Sequence, residues 1–120
     1  MNYFDTFVIP VSNDRRDDYI AHEAKWWPEF QKLGALSFVV GWGDDVPPGK
    51  HTDFLRSVDL AEGETVVVAW MTWPDKETRN AAYKAMESAM SPDDMAEMPF
   101  DGKRMIYGGF VPVLVKGEAA

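Results

Sequence analysis

The chain has 120 residues, 46% of them hydrophobic, enough for one compact domain and too few for two ordinary ones. Lysine and arginine number 12 against 20 aspartates and glutamates, a formal charge of −8, so long-range electrostatics oppose binding to polyphosphate or anionic membrane. With no cysteine, thiolate catalysis, cysteine-ligated zinc and iron–sulfur clusters are excluded. The N-terminal MNYFDTFVIPV lacks the features of a signal peptide, and no stretch reaches the ~18 apolar residues of a membrane span. The expectation is a soluble protein of the reducing cytoplasm, folded as a single domain over residues 1–120.

Residues Tyr3 to Val11 are apolar and rich in Phe, Val and Ile, the composition of a strand. Ser12, Asn13 or Asp14 can then cap a helix that runs to Leu33 and stops at Gly34. Pro28 removes a backbone donor within that helix and crowds the preceding turn, so a kink or restart is expected near Trp27-Pro28. ALSFVVGW, residues 35–42, reads as a second strand, and GDDVPPGKHTD as the loop after it. FLRSVDL, residues 54–60, reads as a shorter strand joined through AEGE to TVVVAWMTW at 65–73, a candidate hairpin. Asp75 caps a helix from Lys76 to about Met90, and after the turn-rich SPDDMAEMPFDG a last strand runs from Lys103 to Val115. Strand, helix, two or three strands, helix, strand is the order of a ferredoxin-like βαββαβ fold, an α+β class with a four-stranded antiparallel sheet.

The strands carry a second message. In TVVVAWMTW one face takes Val67, Ala69, Met71 and Trp73, and the other takes Val66, Val68 and Trp70, so both faces call for cover. Two helices can cover one face of such a sheet. The other is expected to be covered by a second copy of the chain, in a two-fold, sheet-to-sheet homodimer.

Stepping ~100° per residue places Tyr19, Ile20, Trp26, Trp27, Phe30 and Leu33 on one apolar face of the first helix, with Glu23 in its middle. A carboxyl group there must be paired, protonated or turned toward a polar cavity. Either Glu23 reaches the helix edge and pairs with a Lys or Arg, or it is a general base in a pocket walled by Trp26 and Trp27. His22 flanks the same face, while His51 sits in the central loop among Asp44, Asp45 and Asp53. Two histidines without ligand spacing give no metal motif and no haem motif.

Five tryptophans are many for this length, and they serve as core or interface anchors or as walls of an apolar cavity. Arg56, alternating with Leu55 in the expected strand, either holds an anionic or phenolic group or faces solvent at a sheet edge. In FDGKRMIYGGFVPVLV the pair Gly108-Gly109 matches no phosphate loop, since no helix follows. It marks instead a bulge, a bend or a close approach by another backbone, and Lys103 and Arg104 neutralise nearby acids. Tyr107 is left as a candidate cavity-facing group.

WGDDVPPGKHTDF, TVVVAWMTWPDKETRNAA and MPFDGKRMIYGGF resemble the signature segments of the YbaA-like family of small uncharacterised bacterial proteins, a resemblance that extends over essentially the whole chain. It implies a ferredoxin-like domain that pairs into a dimeric α+β barrel, with a cavity between sheet and helices. The family has no established reaction, so it supplies no catalytic positions. The wider superfamily includes cofactor-independent monooxygenases, haem-degrading enzymes and lactone isomerases, which by fold analogy points to monooxygenase-like or isomerase-like chemistry if the chain is an enzyme.

Two functional readings follow. In the first, a homodimer binds or acts on a small apolar or aromatic molecule, with Glu23 or His22 transferring a proton and Trp26, Trp42, Arg56 and Tyr107 positioning the substrate, without cofactor or metal. In the second, a structural or partner-binding dimer has no small-molecule site and its tryptophans are all core and interface. RNA binding ranks third, because RNA readers of this topology present a basic, exposed sheet.

Overall fold

Residue alternation builds the sheet from its centre outward. In a computed structural model, which describes residues 2–117, β1 (Tyr3–Ser12) turns Tyr3, Asp5, Ile9 and Val11 into the protein and leaves Phe4, Thr6 and Val8 only half-buried on the opposite face. It pairs antiparallel with β3 (Glu64–Trp73), in register from Tyr3 opposite Trp73 to Ser12 opposite Glu64. β2 (Ser37–Trp42) lies on the far side of β3, and β4 (Ile106–Phe110) on the far side of β1. The order β2-β3-β1-β4, antiparallel throughout, is the ferredoxin-like arrangement.

Two longer helices lie between these strands in sequence, α1 (Arg16–Lys32) after β1 and α3 (Lys76–Ala89) after β3. Tyr3, Ala35, Met71, Trp73 and Ala82 form one core cluster, against which Trp27, Phe30 and Leu33 of the α1 end pack. Ile9, Val11, Tyr19 and Val67 form a second. Ile20, expected on the apolar face of α1, is 45% exposed at its edge. Asn13–Arg15 form a 3₁₀ turn, so α1 proper starts later than the candidate caps at residues 12–14 suggest. Pro28 causes no restart, because packing of Trp27 and Phe30 on either side of it holds one continuous helix. Gly34, with φ at +110°, ends the helix, and a Cβ there would meet Thr78 Cγ2 at 2.5 Å.

Three expectations are corrected. FLRSVDL is not a strand. Asp53 accepts a hydrogen bond from the Arg56 N–H at 2.7 Å and caps a one-turn helix, α2 (Phe54–Ser57), so β3 pairs with β2 across a long connection. A second short helix, α4 (Pro92–Ala96), lies in the turn-rich stretch, fixed by a capping box between Ser91 and Asp94. β4 spans Ile106–Phe110 instead of Lys103–Val115: its pairing runs from Val8 opposite Ile106 to Phe4 opposite Phe110, β1 has only Tyr3 beyond that, and Pro112 has no N–H to donate.

The two faces of the sheet differ. On the helix side Val67, Ala69, Met71 and Trp73 are buried. On the other side Phe54 of α2 and Val46 share a hollow with Val66 and Val68, so the chain itself covers one end of a face expected to depend wholly on a partner. The remainder, with Phe4, Trp70 and Phe110 beside the segment Val111–Lys116, borders an open hollow of about 860 Å³. Among the described residues no helix is long and apolar enough to cross a membrane.

Candidate functional site

Between helix α1 and the buried face of the sheet lies a cavity of about 160 Å³. Phe7 and Met71 of the sheet form its floor, Trp26 and Phe30 part of its roof. Five of the seven methionines reach its wall, most from α3 and the stretch that follows, so the lining is soft and adaptable.

Glu23 is the acidic group of a wall that is apolar apart from it and His22. Its carboxyl makes no ion pair with a lysine or arginine among the described residues; His22 Nε2 lies 3.9 Å from it. Burial holds the His22 imidazole below its ordinary pKa, reinforced by Lys25 and opposed by Asp94, so near pH 7 it is a neutral neighbour and not a counter-ion. Burial also pushes the Glu23 carboxyl up to about 7. A carboxyl group poised there can both accept and release a proton at neutral pH. One turn earlier, Tyr19 is fully buried, its hydroxyl has no hydrogen-bond partner among the described residues, and burial followed by the Glu23 charge raises its pKa.

His22 and Trp26 form a partition. Both face the cavity and both also line an outer, polar hollow of about 210 Å³ with Lys25, Asp94 and Glu97. The Lys25 ammonium lies 5.4 Å from the Trp26 ring centre, on the solvent side of this wall.

The remaining candidates are dispersed. Trp42 packs against the second core cluster under the Arg16 guanidinium, 5.4 Å from its ring, and does not line the cavity. Arg56 is carried away by α2: its Nη2 donates to the Gly49 carbonyl at 2.8 Å on the surface. Tyr107, 66% exposed, stacks on Phe7 at 6.3 Å and stands at the rim of a neighbouring hollow, outside the main cavity. His51 is exposed in its loop. Arg104 pairs with Glu64 at 2.7 Å and Asp101 at 2.9 Å, and so neutralises acids of the chain itself. Among the described residues no group of three His, Asp or Glu side chains is placed to hold a metal ion.

Residues 2–102 match the model of a family described as protein of unknown function, DUF1428. The chain belongs to that family. It is 47% identical over 115 residues to the uncharacterised protein YbaA of Escherichia coli K12, covering 95% of this chain and 98% of that protein, with the same figures for YbaA of Shigella flexneri. A dimeric ferredoxin-like protein from an uncultured marine organism matches with a TM-score of 0.65 at 13% identity, over 97% of this chain and 100% of that one. SnoaB, a cofactor-independent oxygenase from Streptomyces nogalater, matches with a TM-score of 0.58 at 11% identity, over 98% of each chain. At those identities the likeness establishes the ferredoxin-like α+β fold.

A second polar constellation in this DUF1428 protein was not visible in its sequence. Asp5, fully buried on β1, accepts from Trp73 Nε1 at 2.9 Å, Arg79 Nη2 at 2.7 Å and Tyr83 Oη at 2.6 Å. The guanidinium lies 5.5 Å from the Tyr3 ring centre and 4.7 Å from that of Tyr83. With both carboxylate oxygens engaged, the cluster ties β1 to β3 and α3 instead of presenting a reactive group. Tyr3 also accounts for Gly109: a Cβ at that position would overlap the Tyr3 ring, so the close approach at the glycine pair is made by a side chain and not by another backbone.

Proposed function

We propose that the protein is a homodimer that binds a small apolar or aromatic molecule in the cavity beneath α1 and exchanges a proton with it through Glu23. The observation that carries this reading is the Glu23 carboxyl, set in an apolar wall without a lysine or arginine partner and with its pKa raised to about 7. A structural carboxylate is ordinarily paired or solvated, whereas a proton-transfer group needs an affinity for protons near the working pH. Trp26 walls the ligand and His22 separates it from the polar outer hollow. Trp42 and Arg56 lie away from the cavity and drop out of the positioning set.

Proton removal by Glu23 is the step that the cavity equips, which makes cofactor-free oxygenation, the activity named for SnoaB, and isomerisation the two reaction classes to assay first. The homodimer rests on the half-covered sheet face and on the dimeric state named for the ferredoxin-like relative.

Calorimetric titration with phenol tests the binding reading. Affinity is expected to change through a midpoint near 7, the region in which Glu23 titrates, with Tyr19 and neutral His22 as its titratable neighbours on α1. Glu23→Gln is expected to bind without that dependence. A flat pH profile in the unaltered protein, or the same profile in the variant, sinks the proposal.

A further inference from the structure

The cavity shares part of its wall with a neighbouring space. On the β4 side lies a second apolar hollow of about 150 Å³, and the two share Phe7, Phe30, Met71 and Met105 as common lining. The second is completed by Tyr83 and Tyr107. An apolar cavity of roughly 150 Å³ holds one benzene ring, so the inner cavity of about 160 Å³ alone takes a single ring.

The four shared side chains are not equally fixed. Phe30 packs edge-on against buried Trp73 at 6.4 Å, and Phe7 stacks under Tyr107 at 6.3 Å. Met71 is buried on β3, while Met105 is only half-buried and lies before β4 begins, outside any strand. A methionine has three rotatable side-chain bonds and no branch, so Met105 is the group that can swing aside and join the two spaces. At the far end the Tyr83 ring is held by its hydrogen bond to Asp5 at 2.6 Å, whereas exposed Tyr107 forms a movable rim.

We propose that the two hollows are the two lobes of one site and that its ligand is a fused two-ring hydroxyaromatic, one ring and the hydroxyl beside Glu23, the other ring beyond Met105 beneath Tyr107. This rests on the small-molecule reading above and adds the size and shape of the ligand. It also gives Tyr107 a binding role in the second lobe and makes Met105 the residue that sets the size limit.

The test compares phenol with 2-naphthol, in the unaltered protein and in Met105→Trp, which fills the passage. In the unaltered protein 2-naphthol should bind about tenfold more tightly than phenol or better, because its second ring leaves water in the outer lobe. In Met105→Trp the advantage should disappear, and a cooperative thermal melt shows that the variant is folded. With ring-labelled tyrosine, 2-naphthol should shift the Tyr83 and Tyr107 resonances and phenol should not; if Met105→Trp does not fold, this measurement on the unaltered protein decides alone. Phenol binding with 2-naphthol excluded, or 2-naphthol binding without those shifts, overturns the two-lobe inference and leaves the single cavity standing. Failure of both compounds to bind overturns the small-molecule reading as well.

Discussion

Glu23 and Asp5 are both acids on apolar faces, and their surroundings give them opposite characters. Glu23 lies in the cavity wall without a lysine or arginine partner among the described residues, so desolvation dominates and its carboxyl is raised from 4.5 to about 7. Below about pH 4.5 the group is protonated in both the folded and unfolded chain and costs nothing. Between 4.5 and 7 the unfolded chain ionises while the folded one retains its proton, so stability falls as pH rises, levelling off above 7. Glu23→Gln should therefore gain on the unaltered protein across that window, by on the order of 2–3 kcal/mol, in urea unfolding at a series of pH values. A stability difference that does not vary with pH would count against a raised carboxyl.

Asp5 is held by donors on β3 and α3, 68 to 78 positions further along the chain. Asp5→Ala leaves the Arg79 guanidinium, two-way stacked and largely enclosed, without its anion, and is expected to cost about 3–5 kcal/mol in urea unfolding. A loss below ~1 kcal/mol would mean that the cluster is dispensable to the fold. That Glu23 occupies an apolar helix face is legible from helical spacing alone, because the period is local. The strand alternation likewise puts Asp5 on the row of Tyr3 and Ile9, yet its partners are brought to it only by the pairing of β1 with β3.

At the scale of elements, hydrogen-bonded ends overrule apolar composition. FLRSVDL has the residues of a strand, but Asp53 before it captures the N–H of Arg56 and also that of Gly49 at 2.9 Å, and the chain closes into a turn of helix. The competition is between a side-chain bond available within three residues and a ladder bond that needs another strand alongside, and the near partner wins. The C-terminal strand stops short for the complementary reason: VPVLV has strand composition, but β1 has only Tyr3 left beyond the pair Phe4 and Phe110, and Pro112 cannot donate to a ladder. Helix α1 stops where Gly34 adopts a left-handed conformation against Thr78. Gly34→Ala is expected to destabilise the protein by about 1–3 kcal/mol through backbone strain and overlap together. Thr78→Ser in that background removes Cγ2 and should restore part of the loss in thermal melts; no recovery would assign the whole effect to the backbone.

For the whole molecule the decisive surface is the half-covered sheet face. Phe4 and Phe110 stack there at 5.8 Å, and Val113 beyond them is 90% exposed. Apolar surface left in water on this scale marks a contact with another molecule. Light scattering on the eluting protein is expected to give twice the 13.6 kDa chain mass, and Phe110→Glu, which sets a charge in the middle of the patch, should yield monomer. A monomeric unaltered protein at micromolar concentration would contradict the homodimer.

The order of the four strands and the two long helices, the two-faced character of β3, the place of Glu23 on the apolar face of α1 and the family were all legible in the sequence, since each is written in local composition, in periods of 2 and 3.6 residues or in long contiguous motifs. Tertiary structure alone decided that α2 and its connection cover one end of the open face, that Arg56 and Trp42 lie away from the cavity, that Asp5 is paired, and that two hollows meet at Met105. Those outcomes depend on which distant segments the folded sheet sets side by side, and a space between elements has no residue of its own in the chain.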